Sequence, residues 1–134
     1  MRNLFIFIFI FTYAFSMRLS AINLEQLELE DGFEISIYAD NLDAPRQMVE
    51  GKDGTIFVAE KGGQILALID ADKNGQGDSK IIVAKGLTLS TGLSLFDGDL
   101  YFSEISKIWK INNIEDWLRN QTDINELPNK NLVI

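Results

Sequence analysis

The chain has 134 residues, 20 of them acidic and 12 basic, for a net charge of −8, and it contains neither cysteine nor histidine. An acidic chain without a basic stripe offers no counterion-releasing surface to a phosphate backbone, so nucleic acid is not expected as a partner. Without histidine the usual general base, the usual imidazole metal ligand and any Ser-His or Cys-His pair are missing, and without cysteine there is no disulfide framework.

At the N-terminus, Arg2 precedes an apolar run at residues 4–15 (LFIFIFIFTYAF). A dozen residues is the length of a signal-peptide core and falls short of the roughly 20 that span a bilayer. Cleavage fits after Ser16, where Ala14-Phe15-Ser16 places small residues suitably, or after Ala21. The alternative is an uncleaved anchor flanked by Arg2 and Arg18. The expectation is a signal peptide over residues 1–21, a periplasmic or secreted mature chain and no stable membrane span after cleavage. Removing 1–21 takes away two arginines and no acid, which leaves 10 basic against 20 acidic residues.

Residues 22–31 read as an acidic lead-in. Phe33, Ile35 and Ile37 alternate with Glu34, Ser36 and Tyr38, a period of two that predicts a half-buried strand. Pro45 interrupts the pattern, and a strand is expected from Arg46 to Glu50. Gly51-Lys52-Asp53-Gly54 is a turn. The β-branched and aromatic run TIFVA at 55–59 reads as an interior strand, Lys61-Gly62-Gly63 as a second turn, and residues 64–69 and 80–85 as further strands.

The cassette then returns. Strands are predicted at 91–96, 99–104 and 107–111; Asp97-Gly98 repeats Asp53-Gly54, and Glu104 repeats Glu60, about 44 residues apart, the period of four-stranded propeller blades. Residues 114–120 suit a short helix with Asn113 as a candidate cap and Trp117 and Leu118 facing inward. Residues 121–130 read as a loop, and residues 131–134 as a strand-like beginning without a partner. The predicted fold is all-β, about two blades of a six-bladed β-propeller within residues 22–134. The first blade covers about 33–85 and the second, incomplete, about 91–134.

Residues 70–78 (DADKNGQGD) fit the opening of the calcium-loop pattern, with oxygen-bearing side chains at Asp70, Asp72, Asn74, Gln76 and Asp78 and a turn at Gly75. Ile81 stands where an EF-hand requires glutamate, and strands flank the loop, so a helical calcium sensor is not expected. The remaining readings are a structural calcium site completed by other oxygens and an ordinary Asp/Asn/Gly turn. Glu60 and Glu104 suggest a carboxylate pair for acid–base work, yet their recurrence with the blade argues for turn chemistry instead. Asn120-Gln121-Thr122 matches a glycosylation sequon by pattern alone.

The stretch from Gly32 to Trp117 resembles the opening of the glucose/sorbosone dehydrogenase family. The resemblance is carried by Ala44-Pro45-Arg46-Gln47-Met48, by the Gly-x-Asp-Gly turn at 51–54, and by the acidic 70–78 loop followed by Lys85-Gly86-Leu87. It implies an exported six-bladed propeller enzyme that uses pyrroloquinoline quinone (PQQ) and calcium to oxidise an aldose or related aldehyde or alcohol by hydride transfer to the quinone, passing electrons to an acceptor. The family's catalytic histidine and most cofactor contacts lie beyond the end of this chain, so no catalytic or cofactor-binding residue carries over. Where relatives place an amide-bearing residue beside a glycine, this chain has Ser90-Thr91-Gly92. The resemblance therefore implies an inactive 134-residue portion that needs further blades to cover its exposed sheet face. A competing expectation is a non-catalytic NHL- or YWTD-like propeller that binds protein or glycan. A third, a small β-protein folding as two blades alone, would leave a sheet face and several edges exposed.

Overall fold

The computed structural model describes residues 24–134. The predicted signal peptide and both of its cleavage sites lie outside the described residues. Among the described residues no helix is long and apolar enough to cross a membrane. The chain divides into two compact units, one ending at Ile35 and one from Ser36 to Ile134. The described part of the first opens with a 3-10 turn at Leu24–Gln26, where the Leu27 N–H donates to the Leu24 carbonyl at 3.1 Å.

The second unit holds two antiparallel four-stranded meanders. Strands β1 (Pro45–Glu50), β2 (Ile56–Glu60), β3 (Gln64–Ile69) and β4 (Ser79–Ala84) form one sheet in chain order. Strands β5 (Gly92–Phe96), β6 (Asp99–Glu104), β7 (Lys107–Ile111) and β8 (Lys130–Leu132) form the other, with helix α1 (Ile114–Asn120) between β7 and β8. Pro45 opens β1 at the edge of its sheet, the position where a missing N–H costs no ladder bond. The Asp97-Gly98 link is a two-residue hairpin with both residues at positive φ, 50° and 84°, as the twist of the flanking strands requires. Its counterpart is longer: Gly51 and Thr55 close the first hairpin through an N–H to carbonyl bond of 2.8 Å.

Period-two alternation sorts the first sheet into two faces. Val49, Phe57, Ala67 and Ile81 lie on one, and with Phe102, Leu100, Ile111 and Ile114 of the second repeat they make the main core between the sheets. Trp117 and Leu118 pack on that core as the helical spacing predicted, although Asn113 adopts a left-handed conformation (φ 44°) and makes no side-chain cap. The opposite face carries Met48, Val58, Leu66 and Ile82. There Val58, Leu66 and Leu68 are covered by Tyr38, Ala39 and Leu42, while Met48 stays 72% exposed.

Two expectations are corrected. Residues 33–37 form no strand: among the described residues nothing pairs with them, and a strand without a neighbour has no ladder to stabilise it. The tail at 131–134 does have a partner. β8 pairs with β7, and the contact extends past the ladder as Val133 donates to Ile108 O at 2.7 Å and Ile108 to Ile134 O at 2.8 Å, so the second sheet has four strands.

Candidate functional site

The 70–78 loop joins β3 to β4, and antiparallel pairing of those strands brings its ends together, with the Asp78 N–H donating to Ile69 O at 2.7 Å. Carboxylate oxygens of Asp70, Asp72 and Asp78 all lie within 4.8 Å of one another. Asp70 accepts the N–H groups of Asn74 (3.1 Å) and Gly75 (2.8 Å), and Asp78 Oδ2 accepts those of Ala71 (2.6 Å) and Asp72 (3.4 Å). Asn74 faces into the loop, donating to Asp72 Oδ2 at 2.9 Å while its Oδ1 accepts the Gln76 N–H at 2.8 Å. Of the five predicted ligands, three carboxylates converge, Asn74 braces the turn and Gln76 lies along a neighbouring groove. The all-oxygen donor set fits a hard divalent cation such as calcium. Ile81 lies on the core-facing side of β4, so no twelfth-position ligand exists.

That groove, about 480 Å³, is lined by Tyr38, Gln76, Gly77, Asp78, Ser79 and Lys80 among others. The Lys80 ammonium donates to the carbonyls of Asp40 and Asn41, both at 3.1 Å, and Gly77 N–H to Tyr38 O at 2.8 Å, which ties residues 38–41 to the loop. The Tyr38 hydroxyl is buried without a partner among the described residues. Burial, and then the carboxylates of Asp70, Asp78 and Glu50, push its ionisation above the ordinary tyrosine value.

Glu60 and Glu104 hold equivalent structural posts. The buried Glu60 carboxylate accepts the Asp43 N–H at 2.7 Å, just ahead of β1. Glu104 accepts the Thr88 N–H at 2.8 Å, just ahead of β5, and the Trp109 indole N–H at 2.6 Å. These bonds, the Thr88 N–H first, hold the Glu104 carboxyl below its usual range. Each capped loop then places a non-glycine residue at positive φ, Ala44 at 49° and Leu89 at 52°. Neither residue type signals that conformation, so sequence reasoning had no means of finding it. Each glutamate thus anchors the entry to its own sheet.

Ser90, at the place where the family resemblance would put a cofactor contact, is fully buried and donates its hydroxyl to Glu60 O at 2.7 Å. The nearby amide belongs to Gln47, and both of its ends are engaged: Nε2 donates to Leu93 O at 3.2 Å and Oε1 accepts the Leu93 N–H at 3.1 Å. These residues do not fit PQQ, because their polar atoms are already used to join the sheets.

α1 makes a further long-range tie that the sequence did not suggest. The Glu115 carboxylate accepts the N–H groups of Lys52 (3.1 Å) and Asp53 (2.9 Å) in the first hairpin turn, and Arg119 bridges Asp53 and Asp116. Asn120 of the sequon pattern donates its amide to Asp116 O at 2.8 Å.

No family model matches the chain. A protein of Borreliella burgdorferi described as uncharacterized is 27% identical over 92 residues, covering 67% of this chain and 22% of that protein. Among solved structures, the holo form of the pyranose dehydrogenase PQQ domain from Coprinopsis cinerea matches with a TM-score of 0.60 at 17% identity, covering 78% of this chain and 24% of that chain. The chain therefore spans about a quarter or less of the length of the proteins it matches. Its antiparallel sheets carry the fold of part of a PQQ-domain β-propeller.

Proposed function

We propose that this chain is the N-terminal, two-blade portion of an exported PQQ-dependent sugar dehydrogenase of the glucose/sorbosone type. The observation that carries the reading is the fold match to a PQQ domain over 78% of the chain, which agrees with the resemblance running from Gly32 to Trp117. The substrate class is an aldose or a related aldehyde or alcohol, with an electron acceptor to reoxidise the enzyme. Residues 1–21 direct export, and the mature protein is periplasmic or secreted.

Within this reading residues 24–134 are scaffold. Gln47, Ser90 and Glu60 spend their polar atoms on backbone and Glu104 on the Thr88 N–H and the Trp109 indole, and in this reading the histidine that takes the substrate's proton lies outside this chain, which alone is inactive. The cofactor is held by parts of the protein outside this chain. The 70–78 loop takes calcium as a brace between β3 and β4. The further blades cover the face on which Met48 is exposed.

The test is dye reduction by the complete polypeptide that carries this chain, with aldose, before and after adding PQQ and calcium. Activity should appear only with both. A protein that folds, binds no PQQ and reduces no dye would instead be the non-catalytic propeller, and cofactor-independent turnover would also overturn the proposal.

A further inference from the structure

The loop between β3 and β4 holds the one asparagine of the chain that glycine follows, Asn74-Gly75. Such a step carries its own chemistry. The Gly75 backbone nitrogen attacks Asn74 Cγ, the new N–Cγ bond replaces Cγ–Nδ2, and the side-chain nitrogen leaves as ammonia with the amide proton. Water then opens the resulting succinimide at one carbonyl or the other, giving aspartate or isoaspartate. Glycine favours the attack because no Cβ crowds its nitrogen. Here Asn74 and Gly75 are both exposed, and a Cβ built on Gly75 meets nothing within 4 Å, so packing does not shield the step.

Hydrogen bonds restrain it instead. The Gly75 N–H donates to Asp70 Oδ2 at 2.8 Å. A bond made by the protonated amide, and the negative charge of its acceptor, both oppose the deprotonation that attack requires. The Asn74 carboxamide is held at its two ends, with Nδ2 donating to Asp72 Oδ2 at 2.9 Å and Oδ1 accepting the Gln76 N–H at 2.8 Å. Expulsion of Nδ2 forfeits the first of these bonds.

We propose that Asn74 is a deamidation site of this protein and that the Asp70 carboxylate is the lock that keeps it intact in the folded chain. Opening to isoaspartate puts one more carbon into the loop backbone and displaces Gly75 from Asp70. The bonds from the Gly77 N–H to Tyr38 O and from Lys80 to the carbonyls of Asp40 and Asn41 carry that displacement to residues 38–41. The lock depends on neither the dehydrogenase reading nor calcium binding.

Peptide mapping by mass spectrometry tests it on the complete polypeptide, aged in mildly alkaline buffer with a chelator so that the carboxylates hold no cation. Deamidation at Asn74 should accumulate about ten- to a hundredfold slower in the folded chain than in guanidinium chloride, the rate equivalent of one hydrogen bond to a charged group. Asp70→Ala should bring the folded rate toward the denatured one. Asp78→Ala, whose carboxylate serves the Ala71 and Asp72 amides and not that of Gly75, should leave it unchanged. If Asp70→Ala does not fold, Asp70→Asn, which keeps an acceptor and loses the charge, takes its place. Equal folded and denatured rates overturn the proposal, as does an Asn74 that deamidates in neither state. So does equal acceleration by the Asp70 and Asp78 variants, since the protection is then loop order alone. Dye reduction is not read, so failure of the enzyme reading leaves the result untouched.

Discussion

Glu60 offers the most direct test of whether the repeated glutamates are structural. It ends β2 at 4% exposure, with Oε1 on the Asp43 N–H at 2.7 Å. Its own carbonyl also accepts Ser90 Oγ–H at 2.7 Å and the Gly63 N–H at 3.0 Å. Glu60→Gln keeps the volume and one acceptor oxygen but not the charge. A hydrogen bond to a charged group contributes about 1.5–3 kcal/mol and a neutral one about 0.5–1.5, so the expected cost is about 1 kcal/mol. Glu60→Leu also leaves the Asp43 N–H without its acceptor, adding about 1–3 kcal/mol, with water access to the exposed Asp43 favouring the lower end. Each kcal/mol lowers Tm by about 2–4 °C in a domain of 150–250 residues and by less in a longer one. Thermal unfolding of the complete polypeptide should therefore rank wild type above Glu60→Gln and Glu60→Gln above Glu60→Leu, with turnover in Glu60→Gln unchanged. Losing a general base costs about 10²–10⁴-fold in rate. A loss of that size in Glu60→Gln without a fall in Tm, or a Glu60→Leu protein as stable as wild type, would refute the reasoning.

Three further outcomes are expected. Gln47→Ala removes two bonds to Leu93 and should cost about 1–3 kcal/mol in a denaturant titration, nearer 1 because Gln47 is exposed. Calorimetric titration with millimolar calcium should give binding heat and thermal stabilisation, with a Kd of about 10⁻⁴–10⁻³ M as in extracellular modules, and Asp72→Asn should weaken both; silence would identify an ordinary turn. Asp99 and Glu104 hold their protons less tightly folded than unfolded, Asp99 chiefly through the Asn113 N–H and then Lys110, and Glu104 chiefly through the Thr88 N–H. Their contribution to stability is thus full above the ordinary values of 3.8 and 4.5 and fades as pH falls below them, so Glu104→Gln and Asp99→Asn, which lack the titrating carboxyl, should begin acid unfolding at lower pH than wild type when compared at equal neutral-pH stability.

The strands were legible where apolar runs meet short polar or Gly-bearing turns. Residues 64–69, 99–104 and 107–111 coincide with β3, β6 and β7, since side-chain pattern and turn chemistry act within a few residues of each other. Periodicity over 33–37 misled because alternation describes a face and supplies no neighbour. The tail at 131–134 reads as strand-like, but its pairing was missed for the converse reason: its partner β7 lies some twenty residues back, across α1. At the acidic loop, spacing foretold the convergence of Asp70, Asp72 and Asp78, while the inward turn of Asn74 depends on hydrogen bonds that spacing does not encode. Gln47, Ser90 and Glu115 act across 46, 30 and 62 positions, and no local signal marks such pairs.

Those last three residues have a mechanical consequence. Gln47 fastens the two first strands, Ser90 fastens the entry of the second sheet to the end of β2, and Glu115 fastens α1 to the opposite hairpin turn. Two plates joined along one seam can swing about it, whereas plates pinned at points distributed along their length and at both ends cannot. The wedge angle between neighbouring sheets is thereby set within this pair. In a closed ring of such sheets that angle determines how many complete the circle, so in the proposed propeller this pair acts as a template for the circumference.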